Sequence, residues 1–113
     1  MSFNRRKNSA TAANGAGIIA LDITNSTSFT VTLTGTATFE LGGVTPENEY
    51  KIVISVVQDA TGSRTVTWPA SVKWSGGTSP VLSTGANALD IITLQTFDSG
   101  TTWYGVLLGS NFS

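Results

Sequence analysis

The chain has 113 residues, six basic and seven acidic side chains, a net charge of −1, and neither cysteine nor histidine. One domain is expected at this length, and a domain of that size buries enough surface to fold without metal or disulfide. With no thiol and no imidazole, disulfide frameworks, thiolate metal sites, cysteine nucleophiles and histidine-dependent acid–base dyads are excluded.

In chain order, the first seventeen residues hold Arg5, Arg6 and Lys7 and no acid, whereas from Ile18 onward three cations stand against seven carboxylates. A short basic stretch joined to an acidic body is an interaction layout. Asn8 to Gly17 is small, polar and glycine-containing, without apolar periodicity, so residues 1–17 are expected to form a flexible N-terminal arm. Its candidate contacts are Phe3, Arg5, Arg6 and Lys7, an apolar plug flanked by cations, which suits the core and rim of a protein interface. Three charges on an acidic body make a poor phosphate footprint, so nucleic acid is not an expected partner. No apolar segment follows the basic residues as a secretory leader requires, and none approaches the ~20 residues of a bilayer span, so no membrane partner is expected.

From Ile18 the pattern has period two. Phe29, Val31 and Leu33 alternate with threonines; Ala37, Phe39 and Leu41 repeat the pattern, and Tyr50, Ile52, Ile54 and Val56 line one face of the next run. Turn chemistry separates the runs at Gly42-Gly43, Thr45 to Asn48, Asp59 to Gly62, Ser75 to Gly77 and Asp98 to Gly100. Asp59 to Gly62 and Asp98 to Gly100 read as hairpin loops, and Pro69 should end its strand because it cannot donate to a ladder. About eight strands are expected, near 18–23, 28–34, 36–41, 50–57, 64–68, 81–83, 88–97 and 102–109. The fold class is all-β: a single, jelly-roll-like β-sandwich over residues 18–113, with a small closed barrel as the competing architecture. No internal repeat stands out.

Catalytic chemistry is not expected. Glu47 and Glu49 flank a turn residue as solvated acids, and Asp59 and Asp98 open loops in which an aspartate caps its own turn. Gly15-Ala-Gly17 precedes a strand and no helix, so it lacks the N–H cluster of a phosphate site. No acid spacing matches a calcium loop. Asn25-Ser-Thr27 matches a glycosylation sequon but carries no weight without a secretory route. Asp90 lies inside an apolar strand and asks for a partner. Trp68, Trp74, Trp103, Tyr50 and Tyr104 supply aromatic surface for a core, an oligomer interface or a sugar platform. Trp103 and Tyr104 are adjacent in a strand, so one points inward and the other outward. The candidate oligomer or glycan contacts are therefore Asp90, Trp74 and Tyr104. No cofactor and no metal is expected.

The segments Gln58-Asp-Ala-Thr-Gly-Ser-Arg-Thr-Val-Thr-Trp-Pro69, Val72-Lys-Trp-Ser-Gly-Gly77 and Phe97-Asp-Ser-Gly-Thr-Thr-Trp-Tyr-Gly-Val106 carry a resemblance. In order and spacing they resemble a β-domain of tailed-bacteriophage structural proteins, often found at the end of tail-fibre or tail-spike chains. The resemblance covers about Phe29 to Phe112 and implies a phage virion protein; the lack of a secretory leader adds the expectation that it is made in the host cytoplasm. A fibre chain usually carries a shaft or attachment domain ahead of such a module, and here only a short arm precedes it. The expectation is therefore a capsid decoration (cement) protein on the outer surface of the shell, binding the major capsid protein and itself as a homotrimer. A tail-fibre or tail-tip protein recognising a host surface glycan or protein is the alternative.

Overall fold

A computed structural model describes residues 10–12, 15–24, 27–43, 45 and 47–112. Eight strands account for nearly all the regular structure: β1 (Ala10–Ala12), β2 (Gly15–Asp22), β3 (Ser28–Gly42), β4 (Tyr50–Gln58), β5 (Val66–Thr67), β6 (Val72–Trp74), β7 (Leu89–Thr96) and β8 (Trp103–Phe112). The only helical element among the described residues is one 3₁₀ turn, Ser75–Gly77. The all-β class agrees with the alternation in the sequence.

The pairing is centred on β3. Along one edge of it run β1 and then β2, both parallel, from Ala10 opposite Ser28 to Asp22 opposite Gly42. Along its other edge run β4, parallel over Ser28 to Leu33, and then β5, parallel at Ala37 and Thr38. A straight β3 would measure ~46 Å from end to end. Asp22 lies beside the end of β3, and six residues later the chain begins that same strand. Six residues reach ~20 Å at most. The strand must therefore curl, bringing its two halves around a common interior. The return segment is fixed at both ends: Ile23 N–H donates to Gly42 O (2.9 Å) and Val53 N–H donates to Thr27 O (2.9 Å). The Tyr50 hydroxyl donates to Ile23 O at 3.0 Å.

The bend falls at Gly35. Pairing slips between Gly15–Leu33 and Gly17–Ala37, leaving the middle of β3 bulged against Ala16. A Cβ on Gly35 would stand 2.9 Å from the Ala16 Cβ, so only glycine admits this approach. Because the parity of buried positions is kept across the bend, Phe29, Val31 and Leu33 share a core with Ala37 and Phe39. Ile19, Leu21, Ile52, Ile54, Ile92, Leu94 and Trp103 fill the same interior.

Past β4 the sheet turns antiparallel: β7 pairs with β4, β8 with β7, and the short β6 lies parallel on the outer edge of β8. Five of the seven pairings are thus parallel. A jelly-roll connects antiparallel neighbours; here the sheet curls over one core as a sandwich does, with a different strand order.

Four local expectations need correction. Pairing starts at Ala10, inside the expected arm, because β1 and β2 pair through their backbones and need no apolar alternation to do so. The expected strands 28–34 and 36–41 are one strand, bent at Gly35. Asp59 to Gly62 is not a hairpin, since the strands it joins, β4 and β5, run the same way along one edge of β3. Residues 81–83 form no strand, and β6 at Val72–Trp74 was not expected. By contrast, Asp98 to Gly100 joins antiparallel β7 and β8, as read, and β5 ends just before Trp68-Pro69.

Two buried polar side chains explain 81–83. Gln58 donates through Nε2 to Arg64 O (2.9 Å) and Ser83 O (3.0 Å) and accepts from Arg64 N–H at 2.9 Å. Asp90, 2% exposed, accepts from Ser83 N–H (2.6 Å) and Asn111 N–H (2.8 Å). Side chains thus take up the backbone groups that a ladder would otherwise occupy.

Asp90→Ala should therefore leave two backbone N–H groups without acceptors and cost about 2 kcal/mol or more. Urea denaturation measures the loss, and amide exchange should quicken first at Ser83 and Asn111. A change below ~0.5 kcal/mol, the level of an ordinary surface substitution, would contradict the pinning role.

Acid should weaken the fold through two loop aspartates. The Asp59 carboxyl is held below its usual 3.8, first by hydrogen bonding to Arg64, and Asp98 is held below it, first by Thr102 N–H. A depressed folded value means stabilisation that is present above the unfolded pKa and lost as pH falls through the folded one. Their contribution is expected to be constant from neutral pH to about 5 and to decline below the ordinary value. Urea midpoints of the Asp59→Asn, Asp98→Asn double variant should fall less steeply in acid than those of the parent. Parallel curves would refute the assignment.

Candidate functional site

Alternation in β4, β7 and β8 buries one face of the sheet and leaves the other outward. The inward row is Tyr50, Thr96, Trp103 and Val72; one residue along each strand, the outward row is Lys51, Gln95, Tyr104 and Lys73. These four side chains stand side by side across β4, β7, β8 and β6. Three strand spacings place Lys51 and Lys73 ~14 Å apart along the row.

Tyr104 is 47% exposed and Phe97, just beyond the end of β7, is 56% exposed. Their rings lie 6.0 Å apart at 46°. Beside them the Gln95 amide donates through Nε2 to Glu49 Oε2 at 3.3 Å. The row combines an exposed aromatic pair, an amide, a carboxylate and two ammonium groups. Among the described residues, the ion pair is Arg64 with Asp59 (3.0 Å), and neither lysine has an acidic partner.

The loop that presents Phe97 is tightly held. Thr96 Oγ1, fully buried, donates to Asp98 Oδ1 (2.9 Å) and accepts from Gly100 N–H (2.9 Å). Asp98 Oδ1 also accepts from Thr102 N–H at 2.9 Å. Ser99 reaches the preceding loop, its Oγ donating to Asn48 Oδ1 (2.6 Å) and its N–H to Asn48 O (3.0 Å). Such bracing sets the aromatic pair before any ligand arrives, which lowers the ordering cost of binding.

The sequence-derived contacts are not brought together. Trp74 faces inward: Trp68 packs edge-on against it at 5.1 Å, and its ring covers Gly105, where a Cβ would come within 2.5 Å of it. Tyr104 stands on the opposite face. Asp90 points into the protein, and the partner its position called for is its own chain's backbone. Phe3, Arg5, Arg6 and Lys7 lie outside the described residues. Sequence reasoning did not single out Lys51, Lys73, Gln95 or Phe97. The parity of each was readable, but the register that aligns them was not.

Further along, the same face is apolar. Val106, Leu108 and Phe112 are exposed on β8 beyond the stretch that β6 covers. Among the described residues no cluster of three metal-binding side chains occurs.

No curated protein sequence and no solved structure matches the chain. A family model does, described as "Putative phage tail fibre C-terminal domain", and it covers residues 11–103, nearly the whole described body. Its span takes in β4, β7 and the hairpin that carries Phe97, and it reaches the first residue of β8. With that match on a β-domain whose outer face is aromatic and polar, the chain belongs to the phage tail fibre C-terminal domain family, a structural family of the virion.

Proposed function

We propose that this chain is the host-facing end of a tail fibre and recognises a molecule on the bacterial surface. The observation that carries the reading is the family match over residues 11–103. It favours a fibre over capsid decoration, for which the argument was the shortness of the segment before the β-domain. Where a sequence begins says nothing of what it is attached to. The major capsid protein therefore has no support as a partner.

Self-association accompanies this reading. Among the described residues the longest open edges of the curled sheet are the outer edge of β1–β2 and β8 beyond Gly105; the short β5 and β6 have open outer edges as well. Open edges invite strand addition unless blunted, and β8 carries no charged residue to blunt it. Pairing β8 with β8 is isologous and closes as a dimer, whereas pairing β8 with the β1–β2 edge is heterologous and gives a ring when the rotation closes, a filament when it does not. A trimer is the expected ring.

Light scattering on the purified chain should return three times 11.8 kDa. A monomer at micromolar concentration would refute self-association by this domain, and a dimer would mean that β8 pairs with itself.

Gold-labelled antibody raised against the chain should mark fibre ends on intact virions. Label spread over the capsid in hundreds of copies would overturn the fibre reading and restore decoration.

A further inference from the structure

We propose that the outward row on β4, β7, β8 and β6 binds a saccharide bearing a carboxylate. This rests on the fibre-end reading and names the ligand chemistry of that face.

Sugar rings have an apolar face of C–H groups and a rim of hydroxyls. A receptor for them needs an exposed aromatic surface beside short-reach hydrogen-bonding groups. Tyr104 and Phe97 provide the surface, tilted and 6.0 Å apart on a braced hairpin. Gln95, directly opposite Tyr104, and Glu49, bonded to Gln95, provide donor and acceptor groups for hydroxyls. A purely apolar partner would leave these polar groups desolvated and unpaired, at a cost.

The charge comes from Lys73. It stands opposite Tyr104 on the side away from Glu49, so a carboxylate there meets an ammonium group next to the stacking ring. Lys51 sits at the other end of the row, on the Glu49 side. One isolated lysine suits a single negative charge. The row is long enough for a short oligosaccharide and, being an open face, accepts a chain that continues at both ends.

The test uses the full chain, a panel of immobilised uronic-acid and other carboxylated oligosaccharides, and their methyl esters, which keep the sugar and remove the charge. Wild-type protein should bind at least one acid form about tenfold better than its ester, the scale of one charge-assisted hydrogen bond. Lys73→Gln should reduce acid binding to the level of the ester. Tyr104→Ala should abolish both, and Tyr104→Phe, which keeps the ring, should retain them. Circular dichroism checks that each variant is folded, and ring-proton shifts of Phe97 and Tyr104 on titration locate the site. Absence of binding to every carboxylated saccharide, or acid preference that survives in Lys73→Gln, overturns the proposal.

Adsorption to host cells separates this proposal from the reading beneath it. Wild-type binding that Tyr104→Ala and Lys73→Gln leave unchanged sinks the site while the fibre end still stands. Failure of the wild type itself to bind host cells counts against both.

Discussion

Parallel strands lying side by side in a flat sheet need a crossover of a dozen residues or more. Here β2 and β3 are joined by residues 23–27 alone, and yet they run parallel over most of their length. The short link is compatible with that register only if the strands curl, so that the end of β2 comes back near the start of β3. Everything else depends on this. The curl wraps β3 around the core, lets Phe29 and Phe39 from opposite halves of one strand share an interior, and sets β4 against the first half of β3. Once β4 is fixed, its free edge is the template for β7, and through β7 for β8. The outward row exists because four strands are placed in register from that one starting edge.

A curled sheet leaves corners where ladder hydrogen bonds stop, and the chain meets them with side chains. Gln58 and Asp90 are both buried at one end of the core, and both terminate on residue 83. Asp59 organises the corner between β4 and β5, accepting from Thr61 and Gly62 N–H and bridging to Arg64. Asp98 and Thr96 do the same for the β7–β8 hairpin. These acids would be candidates for chemistry in a list of carboxylates. Each instead accepts from donors of its own chain, which leaves less capacity for a substrate.

Period-two alternation made the buried set legible: Phe29, Val31, Leu33, Ile52 and Ile54 are where the pattern put them. The Asp98 to Gly100 turn was legible as a hairpin, while the same turn chemistry at Asp59 to Gly62 joins two strands that run the same way. Pairing partners were not legible. Alternation gives the face a residue occupies and is silent on which strand lies beside it, so the jelly-roll-like order expected of the sandwich differs from the largely parallel pairing around β3. Gly35 looked like a break because its role, admitting Ala16, belongs to tertiary structure. The region around Leu82 looked like a strand because an apolar run resembles one until its hydrogen bonds are assigned. Tyr104 as an outward aromatic followed from its neighbour Trp103. Lys51 and Lys73, twenty-two positions apart in sequence, had nothing to connect them until the register did.

The length of β6 has a consequence for the outer face of β8. Three residues of β6 cover the β8 edge from Trp103 to Gly105 and then stop. Tyr104 lies within the covered part, where Lys73 of β6 completes the polar and aromatic row. Val106, Leu108 and Phe112 lie beyond it, where the backbone edge is open and the side chains are apolar and exposed. A copy pairing along the open part would bury the apolar segment and leave the row uncovered, since β6 already occupies the edge beside Tyr104. One strand can thus carry two kinds of surface without competition between them. In the proposed assembly each added copy would bring another row to the same cell surface, and a weak single-site contact would be multiplied.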